Sequence, residues 1–207
     1  MNADALIPAF VTLFVVIDPI GLMPIFLALT QGARHAERRV IALRAVAVAA
    51  VLLTLFGLLG EQVLGFLGIS MPAFRIAGGL LLFLTALDML FERRAKRRED
   101  QSEPGLHPDE DPSVFPLATP LIAGPGTMAA MILLAGQTDS VLDLVAVHLV
   151  MVAVLAVVLV FFLSSSLIER ILRETGIKVL TRLFGMLLAA LAVQFVLDGL
   201  ADFGFLG

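Results

Sequence analysis

Asp18-Pro19-Ile20-Gly21, with Pro24 close behind, and Gly124-Pro125-Gly126 are the two runs that decide how this chain is read. Each sits near the middle of a strongly apolar stretch, and the two stretches occupy matching places in the two halves of the chain. In lipid an unpaired backbone group costs several kcal/mol, so a helix is interrupted at membrane depth only where protein or a water-filled cavity re-satisfies its backbone. Paired interruptions in corresponding halves point to the binding site of a transporter.

Composition supplies the membrane setting. Of 207 residues, 59% are hydrophobic, and mean hydropathy is +1.01. No Lys or Arg precedes the first apolar stretch, so the basic start of a signal peptide is missing and residues 1–29 are expected to stay in the mature protein. The absence of Cys excludes disulfides, thiol catalysis and Cys-based metal sites. With no Trp and no Tyr there is no aromatic belt, which leaves 15 Phe for lipid contact or packing and gives interfacial anchoring to Lys and Arg.

At about 20 apolar residues per span, six spans are expected, at residues 6–29, 41–60, 72–91, 115–135, 141–163 and 179–200. Arg34, Arg38, Arg39 and Arg44 follow the first span; Arg93, Arg94, Lys96, Arg97 and Arg98 follow the third; Arg170, Arg173, Lys178 and Arg182 follow the fifth. Only Arg75 falls elsewhere. Orientation follows Lys and Arg rather than net charge, so loops one, three and five are expected in the cytoplasm and both termini outside. For a bacterial chain this is a multi-pass protein of the cell inner membrane with periplasmic termini.

Three spans per half is an odd number, so the second half must cross in the opposite sense to the first. A shift of 106 residues lays Pro19 on Pro125, and a shift of 107 lays Arg75-Ile76-Ala77-Gly78-Gly79-Leu80-Leu81 on Arg182-Leu183-Phe184-Gly185-Met186-Leu187-Leu188. The expected fold class is therefore an all-α polytopic membrane protein. Its six transmembrane helices form two inverted three-helix repeats, residues 1–91 and 114–207, with helices 1 and 4 broken at mid-membrane. Residues 92–113, polar and carrying Pro104, Pro108 and Pro112, read as a flexible cytoplasmic linker. The basic start of this linker is a topology signal that could also touch anionic lipid.

Asp followed by Pro has the chemistry of a helix start: the carboxylate caps orphan N–H groups and Pro takes the first helical position. Gly124-Pro125 repeats the design, and Gly126 lets a ligand approach the backbone. In inverted halves these two positive helix ends meet at mid-membrane, where free N–H groups bind carboxylates and phosphates. The ends are not equivalent, because Asp18 brings its own negative charge while no side chain competes at Gly124 to Gly126. The expected substrate site is Asp18, Pro19, Gly21, Gly124, Pro125, Gly126 and Thr127, with a carboxylate on the backbone of Gly124, Gly126 and Thr127. Asp18 faces the opposite pole, an α-ammonium, a proton or a sodium ion, and is the candidate for ion coupling. The plainer alternative makes Asp18 only a cap and the prolines only kinks; against it, a mid-membrane ionisable residue costs on the order of 3 kcal/mol.

Arg75 is either a snorkelling interfacial side chain or an outer gate or ion pair, with Glu61 as the expected partner. His148 reads as a packed polar residue before a proton relay. Gln194 and Thr85 are expected to hydrogen-bond across helices, and Ser164 to Ser166 to end the fifth span. Catalysis is not expected. An intramembrane aspartyl protease needs two facing carboxylates and only Asp18 is central; Ser164 and His148 lie about 24 Å apart along one helix; HExxH and P-loop signatures are absent.

Asp18-Pro19-Ile20-Gly21-x-x-Pro24-Ile25-Phe26, the run from Pro116 to Thr127 and Phe74-Arg75-Ile76-Ala77-Gly78-Gly79 together resemble the MarC family of bacterial and archaeal inner-membrane proteins. The resemblance spans essentially the whole chain. It departs at Leu22, where members often carry Asn. It implies transport of small neutral amino acids such as glycine or alanine, with the two motifs as the site, in a plan similar to the lysine-exporter superfamily. The expected function is a secondary transporter of small neutral amino acids coupled to a proton or sodium gradient; the alternatives are an exporter of another small solute or cation, or a non-transporting sensor or scaffold. Expected partners are a small zwitterionic substrate, a proton or sodium ion and membrane lipid, with no cofactor, metal or nucleic acid; a homo-oligomer stays open.

Overall fold

A computed structural model describes residues 3–93 and 111–204. Most of the linker read over 92–113 lies outside the described residues, with Arg94, Lys96, Arg97 and Arg98 in it; so do the side chains of Arg170 and Arg173. The described elements are α1 (Ala3–Ile17), α2 (Pro19–Leu29), α3 (His35–Phe66), α4 (Met71–Leu90), an irregular coil of kinked π-helical turns (Ser113–Ile122), α5 (Pro125–Ala135), α6 (Val141–Leu163) and α7 (Ser165–Asp202). No strand occurs among the described residues. Five helical stretches are long and apolar enough to cross a membrane, and the coil with α5 makes a sixth if the bent pair is one span.

The two interruptions differ in degree. At the first, Asp18 alone leaves the helix (φ 57, ψ 67), while its N–H still donates to Phe14 O at 2.9 Å and its carbonyl accepts from Leu22 N–H at 3.1 Å. Leu6–Leu29 thus remains one span. At the second, the expected span over 115–135 is broken before Pro125, and its first half winds in π-helical turns interrupted by two extended residues. Phe115 (φ −127, ψ 127) and Thr119 (φ −135, ψ 128) are extended there, and the chain then bends by 57° into α5. Both extended residues precede a proline, whose ring disfavours the α region for its neighbour, and Pro116 and Pro120 bring no N–H to the ladder.

The first span is the most enclosed: 67% of its apolar window is buried, against 28% for each of the other four spans. It packs on α5, α6 and α7, whereas the coil and α5 pack on α3 and α4. Each interrupted segment therefore lies against helices from the other half of the chain. The core that results runs from Leu13, Ile17 and Leu22 through Leu53 and Leu82 to Met131 and Phe162.

α4 and α7 form the longest helix pair. They run antiparallel: Gly199 lies against Pro72 and Ile76, Gly79 against Ala192 and Val196, and Gly185 against Ala86 and Met89. Small residues allow this approach, and van der Waals packing at such close range is the main attraction between helices in lipid. An ion pair closes each end. Arg75 Nη1 donates to Asp202 Oδ2 at one, and Arg182 Nη2 to Glu92 Oε1 at 2.7 Å at the other. Arg75 is thus joined to Asp202, not to the expected Glu61; facing helix ends, not sequence distance, select the partner. On the basic side Arg44 Nη1 also reaches Asp111 Oδ2 at 2.7 Å, and Asp111 Oδ1 accepts from Ser113 N–H at 3.0 Å, which ties α3 to the start of the coil.

Candidate functional site

Asp18 is fully buried (0% exposed), and its Oδ1 accepts from Gly21 N–H at 3.0 Å, with Pro19 at the first position of α2. Asp and Asn tolerate the left-handed backbone that this cap requires better than most residues. Gly21 has a reason the sequence did not state: a Cβ on it would lie 2.1 Å from Asp18 Oδ2. The carboxylate occupies the space a side chain would need. At the far end of α2, Arg38 Nε donates to Thr30 O at 3.2 Å. A negative group at the helix N-terminus and a positive one at its C-terminus both suit the macrodipole.

The start of α5 is built differently. Gly124 is the cap residue in extended conformation (φ −84, ψ 172), Pro125 follows, and no side chain caps this end. A Cβ on Gly124 would fall 2.5 Å from Pro120 O, so glycine is required by the folded-back coil. Gly126 is roomier. A Cβ there would find Thr85 Oγ1 at 3.5 Å, Leu82 Cδ2 at 3.6 Å and Val16 Cγ1 at 3.6 Å, all ordinary contacts. Thr127 beside it is 2% exposed.

Val16 stands two residues before Asp18, so its contact with Gly126 brings the two interruptions together. Asp18, Pro19 and Gly21 stand at the first interruption and Gly124, Pro125, Gly126 and Thr127 at the second. The family model for MarC family integral membrane proteins matches residues 3–203, across both interruptions and every described helix.

The chain belongs to the MarC family.

Curated relatives agree. A UPF0056 membrane protein of Methanocaldococcus jannaschii is 38% identical over 202 residues, covering 97% of this chain and 98% of the relative. The UPF0056 inner membrane protein YhgN of Escherichia coli is 36% identical over 199 residues, covering 95% and 96%. The UPF0056 membrane protein YvbG of Bacillus subtilis is 37% identical over 208 residues, covering 97% and 96%. No solved structure matches the chain significantly. The resemblance read from the three motifs thus holds over nearly the whole length, and this MarC-family chain is a membrane protein.

Other side chains fall differently from expectation. Thr85, expected to bond across helices, donates to Leu81 O of its own helix at 2.9 Å, yet its oxygen is the polar atom beside Gly126. Sequence reading had set it aside, and only the crossing of α4 over α5 reveals it. Gln194 likewise bonds within its helix, to Asp198 at 2.7 Å. His148 Nδ1 lies 2.8 Å from Leu144 O, and its buried Nε2 packs against Gly57 with no hydrogen-bond partner. It is a packed residue of the α3–α6 contact, away from both interruptions. Arg75 stands at the end of the α4–α7 pair, its side chain 13% exposed and joined to Asp202. Leu22, the departure from the family's pattern, is fully buried.

Proposed function

We propose that this MarC-family protein is a secondary transporter of small neutral amino acids in the inner membrane, coupled to a proton or sodium gradient. The observation that carries the reading is the asymmetric meeting of two helix starts. One is filled by Asp18 through its bond to Gly21, and the other, at Gly124 to Thr127, has no side-chain cap. Helix N-termini favour anionic groups, so the α5 end receives the substrate carboxylate while Asp18 faces the ammonium or the coupling cation. A zwitterion satisfies both.

Two inverted three-helix halves working by alternating access fit this assignment. The antiparallel α4–α7 pair and the packing of each interrupted segment on helices of the other half support them. Arg38, Arg44 and Arg182 gather at one end of the bundle and Arg75 stands at the other, which supports cytoplasmic loops one, three and five with both termini periplasmic. The test is uptake of labelled glycine or alanine into proteoliposomes with and without proton and sodium gradients. Gradient-dependent uptake is expected; none for any neutral amino acid overturns the reading.

A further inference from the structure

α4 and α5 run antiparallel, with Met71 against Gly136, Gly78 against Leu133, and Leu82 and Thr85 against Gly126. α5 begins at that level, whereas α4 continues for more than a turn, to Leu90, towards the end of the bundle that carries Glu92 and Arg182. The first N–H groups of a helix have no partner within it and point out along its axis. Those of Gly126 and Thr127 therefore face the space beside the last part of α4, where Thr85 is the first polar side chain. Thr85 Oγ1 lies 3.5 Å from the place a Cβ on Gly126 would take, an ordinary contact that leaves no room for a substrate atom between the two helices. A ligand on the two N–H groups thus sits at the rim, with Thr85 at its side.

A second observation points to a ligand here. Thr127, in the first turn of α5, is 2% exposed, and its hydroxyl has no hydrogen-bond partner among the described residues. Side chains on a helix lean towards its N-terminus, which aims this hydroxyl at the same rim. A hydroxyl buried without a partner costs free energy until one arrives. Thr85 offers the complementary chemistry. Its Oγ1 donates its one proton to Leu81 O at 2.9 Å, so towards α5 it presents acceptor lone pairs only. That suits an ammonium and repels a carboxylate. Leu82 and Val16, each 3.6 Å from the same position, are apolar and bring no competing group. Asp18 is turned to its own helix: Oδ1 accepts from Gly21 N–H at 3.0 Å, and Oδ2 fills the space over Gly21.

We propose that Thr85 is the residue that binds the substrate ammonium, while the N–H groups of Gly126 and Thr127 and the Thr127 hydroxyl hold the carboxylate, and that Asp18 is left to the coupling cation. The inference rests on the transport reading above and decides which group takes which pole. In an α-amino acid a single carbon separates the two charged groups, so a carboxylate seated on the start of α5 sets its ammonium beside the adjoining turn of α4. An acceptor without charge binds that ammonium and leaves the zwitterion neutral overall, which keeps the charge of Asp18 free for the ion.

Competition binding to the full-length protein in nanodiscs tests the assignment, with labelled alanine displaced by unlabelled alanine or by propionate, which is alanine without its amine. The native protein is expected to prefer alanine. Thr85→Val keeps the shape of the side chain and removes the hydroxyl, so alanine affinity is expected to fall about tenfold or more, the effect of one hydrogen bond to a charged group, with propionate unchanged. Thr85→Ser restores the acceptor and is expected to restore the preference. Asp18→Asn is expected to keep it. Thr85→Ala serves as a second deletion, and each variant is checked for a monodisperse elution profile. An unchanged preference for alanine in Thr85→Val and Thr85→Ala overturns the proposal. So does a preference lost in Asp18→Asn instead, which gives the ammonium to Asp18. Both results leave the transport reading standing, whereas a native protein that binds no neutral amino acid removes that reading and the role of Thr85 with it.

Discussion

Replacing Gly21 with Ala should do opposite things in two backgrounds. In the native protein the new Cβ would lie 2.1 Å from Asp18 Oδ2 and 2.8 Å from its Cγ, so the carboxylate must leave its capping position. That breaks the 3.0 Å bond from Gly21 N–H inside a fully buried site. A hydrogen bond to a charged group contributes about 1.5–3 kcal/mol, and Ala over Gly returns up to about 1 kcal/mol of helix propensity. The net is a loss of about 0.5–2 kcal/mol. In an Asp18→Gly background the obstructing side chain is gone, and glycine suits the φ of 57 at that position. There Gly21→Ala should stabilise, by up to about 1 kcal/mol. The coupling between the two positions is therefore about 1.5–3 kcal/mol, well above the roughly 0.5 kcal/mol scatter of independent sites. Unfolding in mixed micelles of sodium dodecyl sulfate and dodecyl maltoside, followed by far-UV circular dichroism, measures all four corners of this cycle. Equal effects of Gly21→Ala in both backgrounds would refute the argument that the Asp18 carboxylate excludes a side chain at Gly21.

Gly126→Ala should fold and bind normally, because its Cβ meets only contacts of 3.5 Å and beyond, whereas Gly126→Val places methyls against Thr85 and Val16 and should abolish saturable binding of labelled alanine in a scintillation proximity assay. Asp202→Asn leaves the Arg75 guanidinium, 13% exposed, without its charge partner and should cost about 1–2 kcal/mol, between the surface and buried ranges; the Arg75→Asp/Asp202→Arg swap should recover part of this, and Glu61→Gln should change nothing in the same unfolding assay. Burial acts to raise the Asp111 carboxyl, but hydrogen bonds from Ser113 and the Arg44 guanidinium outweigh it and hold the group below its ordinary value. A depressed carboxyl contributes stability above its unfolded pKa of about 3.9 and loses it as pH falls through the lower folded value; the advantage of the native protein over Asp111→Asn, measured by unfolding between pH 6 and pH 2, should shrink below about pH 4.

The helix starts were legible because they are local chemistry: Asp-Pro and Gly-Pro are caps and first positions wherever they occur, and α2 and α5 begin at Pro19 and Pro125. The fifth span was legible for a similar reason, since Val141–Leu163 is apolar but for Asp143 and His148 and is bounded by Ser140 and Ser164. α3 and α7 run beyond the expected 41–60 and 179–200 because helix continues past the lipid into charged segments, which a hydropathy window leaves out. The break of the fourth span before Pro125 was legible, but the π-helical winding of Ser113–Ile122 and its extended residues Phe115 and Thr119 were not, although Pro116 and Pro120 stood in view; hydropathy does not separate a regular helix from a kinked one. The partner of Arg75, the place of Thr85 and the obstruction at Gly21 all depend on how segments cross or on a single side-chain rotamer. No residue pattern along the chain encodes those distances directly.

Asp18→Asn in proteoliposomes puts the division of labour between the two helix starts to its most direct test, with labelled alanine followed in two modes on one preparation. The Asn side chain can still cap α2, while its amide carries no charge to couple. Exchange of labelled for unlabelled alanine at equilibrium should persist, and accumulation driven by a proton or sodium gradient should vanish. Gradient-driven accumulation by Asp18→Asn at the native level would contradict the assignment of coupling to the Asp18 end.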